Sequence, residues 1–288
     1  MPSDPATDVS AALHRLAGHP DLTDGLAAAR EACTQLRWHP ALRRRTAQVR
    51  AESAVRAAHA SASLAGARWP LASVREAVAG VRPFPDDPSG ATVHGAVRAI
   101  AAAQRLEPTW ASAPLQAVAG LHTAACADLL PADELGRPRS DGRSARDGAD
   151  LVDRAGTPVP AVAPADLPAR LASLTDLLTA AADLPALVVA GLAHAEVAVA
   201  RPFVAGNGVV ARALCRMVVT ARGLDPTGVA VWEAALVAAG TDYPKALVEY
   251  ATEPDGVVRW LAFFADMVVA GAEEGRRAAD AVLTGRTA

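Results

Sequence analysis

The run "ARPFVAGNGVVARAL" at residues 200–214 constrains this chain more than any other stretch. It sets a glycine-rich turn between two apolar segments, residues 185–200 and 209–222. Pro185 suits a helix start, where its missing N–H costs nothing. Beyond the turn, Val210, Leu214, Met217 and Val218 recur at the spacing of a buried helix, and Gly223 ends it. The turn itself reads in two ways. Gly206-Asn207-Gly208-Val209-Val210-Ala211 fits G-x-G-x-x-A, the fingerprint of a dinucleotide-binding turn. The longer run from Pro202 to Arg212 fits a different anion-binding loop with pieces missing.

The dinucleotide reading needs a strand before the turn, a helix after it and an acid about 20 residues on. "AEVAVA" at 195–200 is a candidate strand, Asp225 stands near the expected offset, and "TGVAVWE" is a candidate second strand. A nucleotide-binding sheet, however, needs several strands alternating with helices, and no others are evident. The segment before the turn reads better as one helix from Pro185, carrying His194 and Glu196. An NAD-type oxidoreductase therefore ranks last among the alternatives.

Elsewhere helical spacing prevails. Leu26, Ala29, Cys33, Leu36 and Leu42 recur on one face within residues 22–66, with a break near Pro40. Further helices are expected at 72–80, 93–105, 113–127, 165–182, 229–239, 243–250 and 257–277, with a helix end and tail after that. Residues 131–164 break the pattern with Gly, Pro, Asp and Arg. They have room for a short hairpin around 150–152 and 158–162, or for a mobile surface loop. Arg43, Arg44, Arg45 and Arg50 form a basic cluster. It reads as a solvated helix face, because no aromatic stacking partners accompany it.

Composition narrows the function classes. The chain is 51% hydrophobic but only 4% aromatic, so its core is built of Ala, Val and Leu, which suits closely packed helices. A net charge of -3 gives no global pull toward nucleic acid or anionic membrane. Cys33, Cys126 and Cys215 are an odd, scattered set, neither a disulfide framework nor a metal pair. With no apolar leader at the start and no run long enough to span a bilayer, the expectation is a cytoplasmic protein.

Residues 131–264 resemble the Fic (Fido) family. Its motif runs His-Pro-Phe-x-Asp/Glu-Gly-Asn-Gly-Arg-x-x-Arg, and Pro202, Phe203, Gly206, Asn207, Gly208 and Arg212 match in place. His194 matches an upstream histidine of the family, and "GRPR" ending at Arg139 resembles the start of its flap hairpin. "DYPKALVEY" and "RWLAFFADMV" resemble its closing helices. The resemblance implies an all-α, Fic-like helical bundle with a short β-hairpin flap. It implies an N-terminal helical region at 1–96, a core at 97–225 with the flap near 136–163, and C-terminal helices at 226–288, as one unit. It implies a loop and helix N-terminus whose amides hold nucleotide phosphates, a histidine base, an acid that holds magnesium, and transfer of AMP from ATP to a protein hydroxyl.

Three of those groups are replaced. Arg201 stands at the histidine position and stays protonated, so it is no base. Ala205 stands at the acid and Val209 at the first arginine. The family's inhibitory helix, Ser/Thr-x-x-x-Glu-Gly, is matched within residues 41–66 as Ser61-x-x-x-Ala65-Gly66, without its glutamate. Ala65 thus means either a released brake or no activity left to restrain. The expected site comprises Arg201, Gly206, Asn207, Gly208 and Arg212. The leading expectation is a pseudoenzyme that binds ATP or another nucleotide, holds no magnesium in the family's way and does no ordinary AMP transfer. The alternatives are an atypical transferase of phosphorylated ligands, with His194 a weak substitute base, and a partner-binding module. An unidentified protein partner is expected, with no nucleic acid and no membrane; a homodimer stays open.

Overall fold

The computed structural model describes residues 5–180 and 182–286. Among them the chain forms α1 (Pro5–Ala17), α2 (Pro20–Arg37), α3 (Thr46–Leu64), α4 (Leu71–Val78), α5 (Pro88–Arg105), α6 (Glu107–Trp110) and α7 (Pro114–Cys126). It continues with α8 (Leu167–Leu178), α9 (Ala186–Ala200), α10 (Asn207–Ala221), α11 (Trp232–Ala238), α12 (Asp242–Thr252) and α13 (Gly256–Thr284). The fold is all-α.

Local chemistry explains the boundaries. Pro40 opens a 3-10 turn between α2 and α3, where a continuous helix would lose a hydrogen bond. Asp87 caps α5 by accepting from the Gly90 amide at 2.7 Å, with Pro88 in the first turn. Gly285, in the left-handed region, ends α13.

Helix α9 is the centre. All its residues are buried except the half-buried Ala186 and Glu196, the pattern of a helix surrounded by protein. It packs on α10, α13, α8 and α12. Small residues allow close crossings: a Cβ on Gly95 of α5 would lie 2.0 Å from the Ala125 carbonyl oxygen of α7. Buried residues of α2, α3, α5, α7, α9, α10 and α13 form one connected core.

The structure differs from the expectations in the flap, in one additional helix and in the length of another. The flap is not a hairpin. A single antiparallel bridge joins Val152 and Pro158, and no sheet forms among the described residues. The Leu151 amide donates to the Gly148 carbonyl and the Val159 carbonyl accepts from Arg201, so the return bond from Leu151 to Val159 does not form and the ladder stops at one bridge. The dinucleotide-binding alternative, ranked last, finds no sheet among the described residues. "AEVAVA" completes α9, so no strand precedes the Gly206 turn. The Asp225 carboxylate accepts from the amides of Gly228 and Ala230 and from the Thr227 hydroxyl, as a buried turn cap. Helix α1 lies outside the expected helices, although Leu13, Leu16 and Ala17 stand on one apolar face packed against the core. Helix α13 runs past its expected end at Arg277 to Thr284, because Ala278, Ala279 and Val282 are buried.

The basic cluster is divided. Arg45 donates to the Val282 carbonyl near the end of α13, Arg50 donates to the Thr227 carbonyl, and Arg43 and Arg44 are exposed.

Candidate functional site

The connection from α9 to α10 turns sharply. Arg201, at φ +46°, is the one non-glycine residue with positive φ among those described. Pro202, Phe203 and Val204 follow, all buried, and Gly206 at φ +75° leads into α10. Gly206 cannot be replaced cheaply. Its φ lies where side chains are strained, and a Cβ there would sit 2.4 Å from Cys126 Sγ.

Asn207 locks the turn. Its Oδ1 accepts from the Phe203 amide at 2.8 Å, and its Nδ2 donates to the Phe203 carbonyl at 2.9 Å. The second Nδ2 hydrogen goes to Asp147 Oδ1 at 2.8 Å, and the Asn207 amide goes to Asp147 Oδ2 at 2.7 Å. The Asp147 carboxylate thus lies on the N-terminus of α10. Helix geometry leaves the next amides, of Gly208 and Val209, without intrahelical carbonyls, and the helix dipole favours negative charge there.

A cleft of about 250 Å³ opens at this point. Gly206, Asn207, Gly208, Arg201 and Arg212 all line it, so the fold brings the expected site residues together. Ala65 lines it too, at the C-cap of α3 beside Gly66, while Ser61 lies one turn back and is buried.

Both arginines are already occupied. Arg212 donates through Nε to Ser61 Oγ at 2.9 Å and through Nη2 to the Ser61 carbonyl at 3.0 Å. Arg201 donates to the carbonyls of Val159, Gly148 and Val199, and burial pulls its pKa down, partly opposed by Asp147. Its side chain therefore anchors the flap. Arg139 does the same from the other side, donating to the carbonyls of Arg201 and Val162, while its amide bonds the Pro202 carbonyl.

His194 is wholly buried. Its Nε2 lies 2.8 Å from the Tyr243 hydroxyl, and its ring contacts Trp260 and Phe264. Burial, with Arg212 nearby, pushes its pKa down to about 3. It is a neutral core histidine beside the cleft-lining Tyr243.

Residues 112–219 match the model of the Fic/DOC family. The chain carries a Fic domain. Three solved structures share the fold. A Fic family protein from Desulfovibrio desulfuricans G20 is 21% identical, with 94% of this chain and 76% of that one covered and a TM-score of 0.73. Fic-1 from C. elegans is 18% identical, with 96% and 74% covered and a TM-score of 0.60. A Fic domain containing signaling protein from Bacteroides thetaiotaomicron VPI-5482 is 13% identical, with 89% and 97% covered and a TM-score of 0.65. No curated protein matches.

Within the Fic domain the residues present do not form the magnesium site that the resemblance implies. Ala205 offers a methyl group, and the carboxylate at the turn, Asp147, has both oxygens bonded to Asn207. No group of three His, Cys, Asp or Glu residues stands together among the described residues. The amides and the cleft do fit a phosphate group.

Sequence reasoning missed Asp147 and Arg146. Both lie in the irregular segment between α7 and α8, 54 or more residues before Arg201, and no periodic or motif signal marks them.

Proposed function

We propose that this Fic-domain protein binds the phosphates of a nucleotide, ATP or a relative, at the N-terminus of α10 and does not carry out ordinary protein AMP transfer. One observation carries the reading: the Asn207 amide and side chain already grip an oxyanion, the Asp147 carboxylate, at the mouth of the cleft. A phosphate oxygen has the same demand for donors. The ordinary reaction lacks support because Arg201 cannot take a proton from a target hydroxyl. Its guanidinium is committed to flap carbonyls as well.

A second reading, an atypical transferase on the same scaffold, draws on Asp147. That carboxylate is the acid nearest the turn, and a base must come within hydrogen-bond reach of the group it deprotonates. His194 supports this reading less, since it is fully buried and bonded to Tyr243.

The proposal includes a protein partner of unidentified kind and a cytoplasmic setting. Three buried free cysteines, Cys33, Cys126 and Cys215, suit a reducing compartment.

Calorimetric titration with ATP, with and without magnesium, tests the proposal. Binding with little dependence on magnesium, and no AMP adduct by mass spectrometry, is the expected result. Binding that requires magnesium, or transfer of AMP to a protein, overturns it.

A further inference from the structure

Asp147 has a neighbour with the opposite charge and nothing to hold. Arg146 lines the cleft and its side chain is exposed, with no polar contact among the described residues. The three other arginines at the turn, Arg139, Arg201 and Arg212, each have acceptors within the protein: carbonyls for Arg139 and Arg201, and Ser61 and the Tyr243 hydroxyl for Arg212.

The backbone here is held separately from the carboxylate. The Arg146 amide donates to the Val204 carbonyl at 2.8 Å, and the Asp147 carbonyl stands 3.5 Å from Arg201 Nη1. Asp147 can therefore swing its side chain off Asn207 by rotating χ1, without unseating the flap. The cleft into which an anion would come is the one that Arg146 faces.

We propose that Asp147 is a resident anion of the Fic turn, and that an incoming phosphate displaces it from Asn207 and pairs with Arg146. The site is closed by its own chain and opens by exchange of one oxyanion for another. Arg146 then supplies the cation that Val209 does not. This rests on the reading of the α10 N-terminus as a phosphate site. It adds a second binding residue and a competitor built into the flap.

Exchange has a definite thermodynamic consequence. A ligand that must first displace an internal group binds more weakly by the fraction of time the site stands open. Removing the carboxylate abolishes that cost, and removing Arg146 leaves it in place while deleting a charge-assisted contact.

The test uses the full chain in four forms: wild type, Asp147→Asn, Asp147→Ala and Arg146→Ala. Each is titrated calorimetrically with ATP and with inorganic tripolyphosphate, after circular dichroism confirms its helicity. Asp147→Asn keeps the side chain's shape and removes its charge, so it covers the case in which the alanine variant fails to fold. The expected result is affinity raised about tenfold or more in the Asp147 variants and lowered about tenfold in Arg146→Ala, for both ligands. Wild-type binding with unchanged or weaker binding in the folded Asp147 variants overturns the exchange while leaving the phosphate site standing. Unchanged binding in Arg146→Ala removes Arg146 from the site. Absence of binding in all four forms overturns the phosphate site itself.

Discussion

Arg212 spans from α10 to α3 and grips both oxygens of Ser61, the hydroxyl at 2.9 Å and the backbone carbonyl at 3.0 Å. The resemblance assigns Arg212 to a phosphate and the α3 segment to an inhibitory contact. Here the helix contact is made by Ser61, one turn before the position of the missing glutamate, Ala65. Loss of that glutamate has therefore not left Arg212 idle.

Ser61→Ala deletes one acceptor of a buried charged donor. The loss is expected to be about 1–3 kcal/mol, the range for a hydrogen bond to a charged group. That corresponds to a melting temperature lower by several degrees for a chain of this size. Nucleotide affinity is expected to rise as Arg212 Nε is freed toward the cleft, while Nη2 keeps the backbone carbonyl of residue 61. Differential scanning calorimetry and an ATP titration read the two effects separately. A lower melting temperature with unchanged affinity would mark Arg212 as a structural clamp alone.

Arg201→His restores the histidine that the Fic resemblance expects, and it is expected to fail as a rescue. The carbonyls of Val159 and Val199 lose the Arg201 donor while that of Gly148 keeps the Leu151 amide, at a cost of about 1–3 kcal/mol for a buried acceptor left unpaired. Ala205 still offers no carboxylate. Mass spectrometry of the variant with ATP, magnesium and a lysate should show no AMP adduct. An adduct on the single variant would mean that one side chain separates this chain from the ordinary reaction.

Gly206→Ala meets two obstacles. The left-handed φ costs about 1–2 kcal/mol, and the contact with Cys126 Sγ adds about 1–3 kcal/mol of overpacking. Adding Cys126→Ala should recover the second part and leave the first. Urea unfolding of the two single variants and the double variant measures the coupling. Strict additivity of the two substitutions would contradict the close approach.

Acid should destabilise the fold through two histidines. Burial holds His194 down to about 3 and His122 down to about 4, against an ordinary value of 6.5. Both are neutral in the folded chain across the window from about 4 to 6.5, where the unfolded chain binds a proton at each. Stability is therefore whole above 6.5 and falls as pH drops through that window, on the order of 3 kcal/mol between pH 7 and pH 5 from the pair. Urea midpoints at the two pH values measure it. His194→Gln should remove about half of the difference, and an unchanged difference would place the effect elsewhere.

Much of this molecule was legible in residue order. The spacing of Leu26, Ala29, Cys33 and Leu36 marks α2, and Val210, Leu214, Met217 and Val218 mark α10, because a buried helical face repeats at 3.6 residues. The Gly206-Asn207-Gly208 turn and its match to the Fic motif were equally local. Helix α1, with Leu13, Leu16 and Ala17, and the last turns of α13, with Ala272, Ala279 and Val282, carry the same helical spacing. The flap shows the limit. Its Gly and Pro content admitted a hairpin, and the pairing of the Leu151 amide with Gly148 and of the Val159 carbonyl with Arg201 stopped the ladder at one bridge.

What residue order determined is the set of groups at the turn: a fixed cation at 201, no acid at 205, no arginine at 209 and amides at a helix start. What only the tertiary structure decided is how those groups are spent. Arg201 serves the flap, Arg212 serves Ser61, and Asp147 caps Asn207. The physical reason is that a buried donor or charge takes whatever acceptor packing delivers, and those acceptors lie 42 to 151 residues away in the chain.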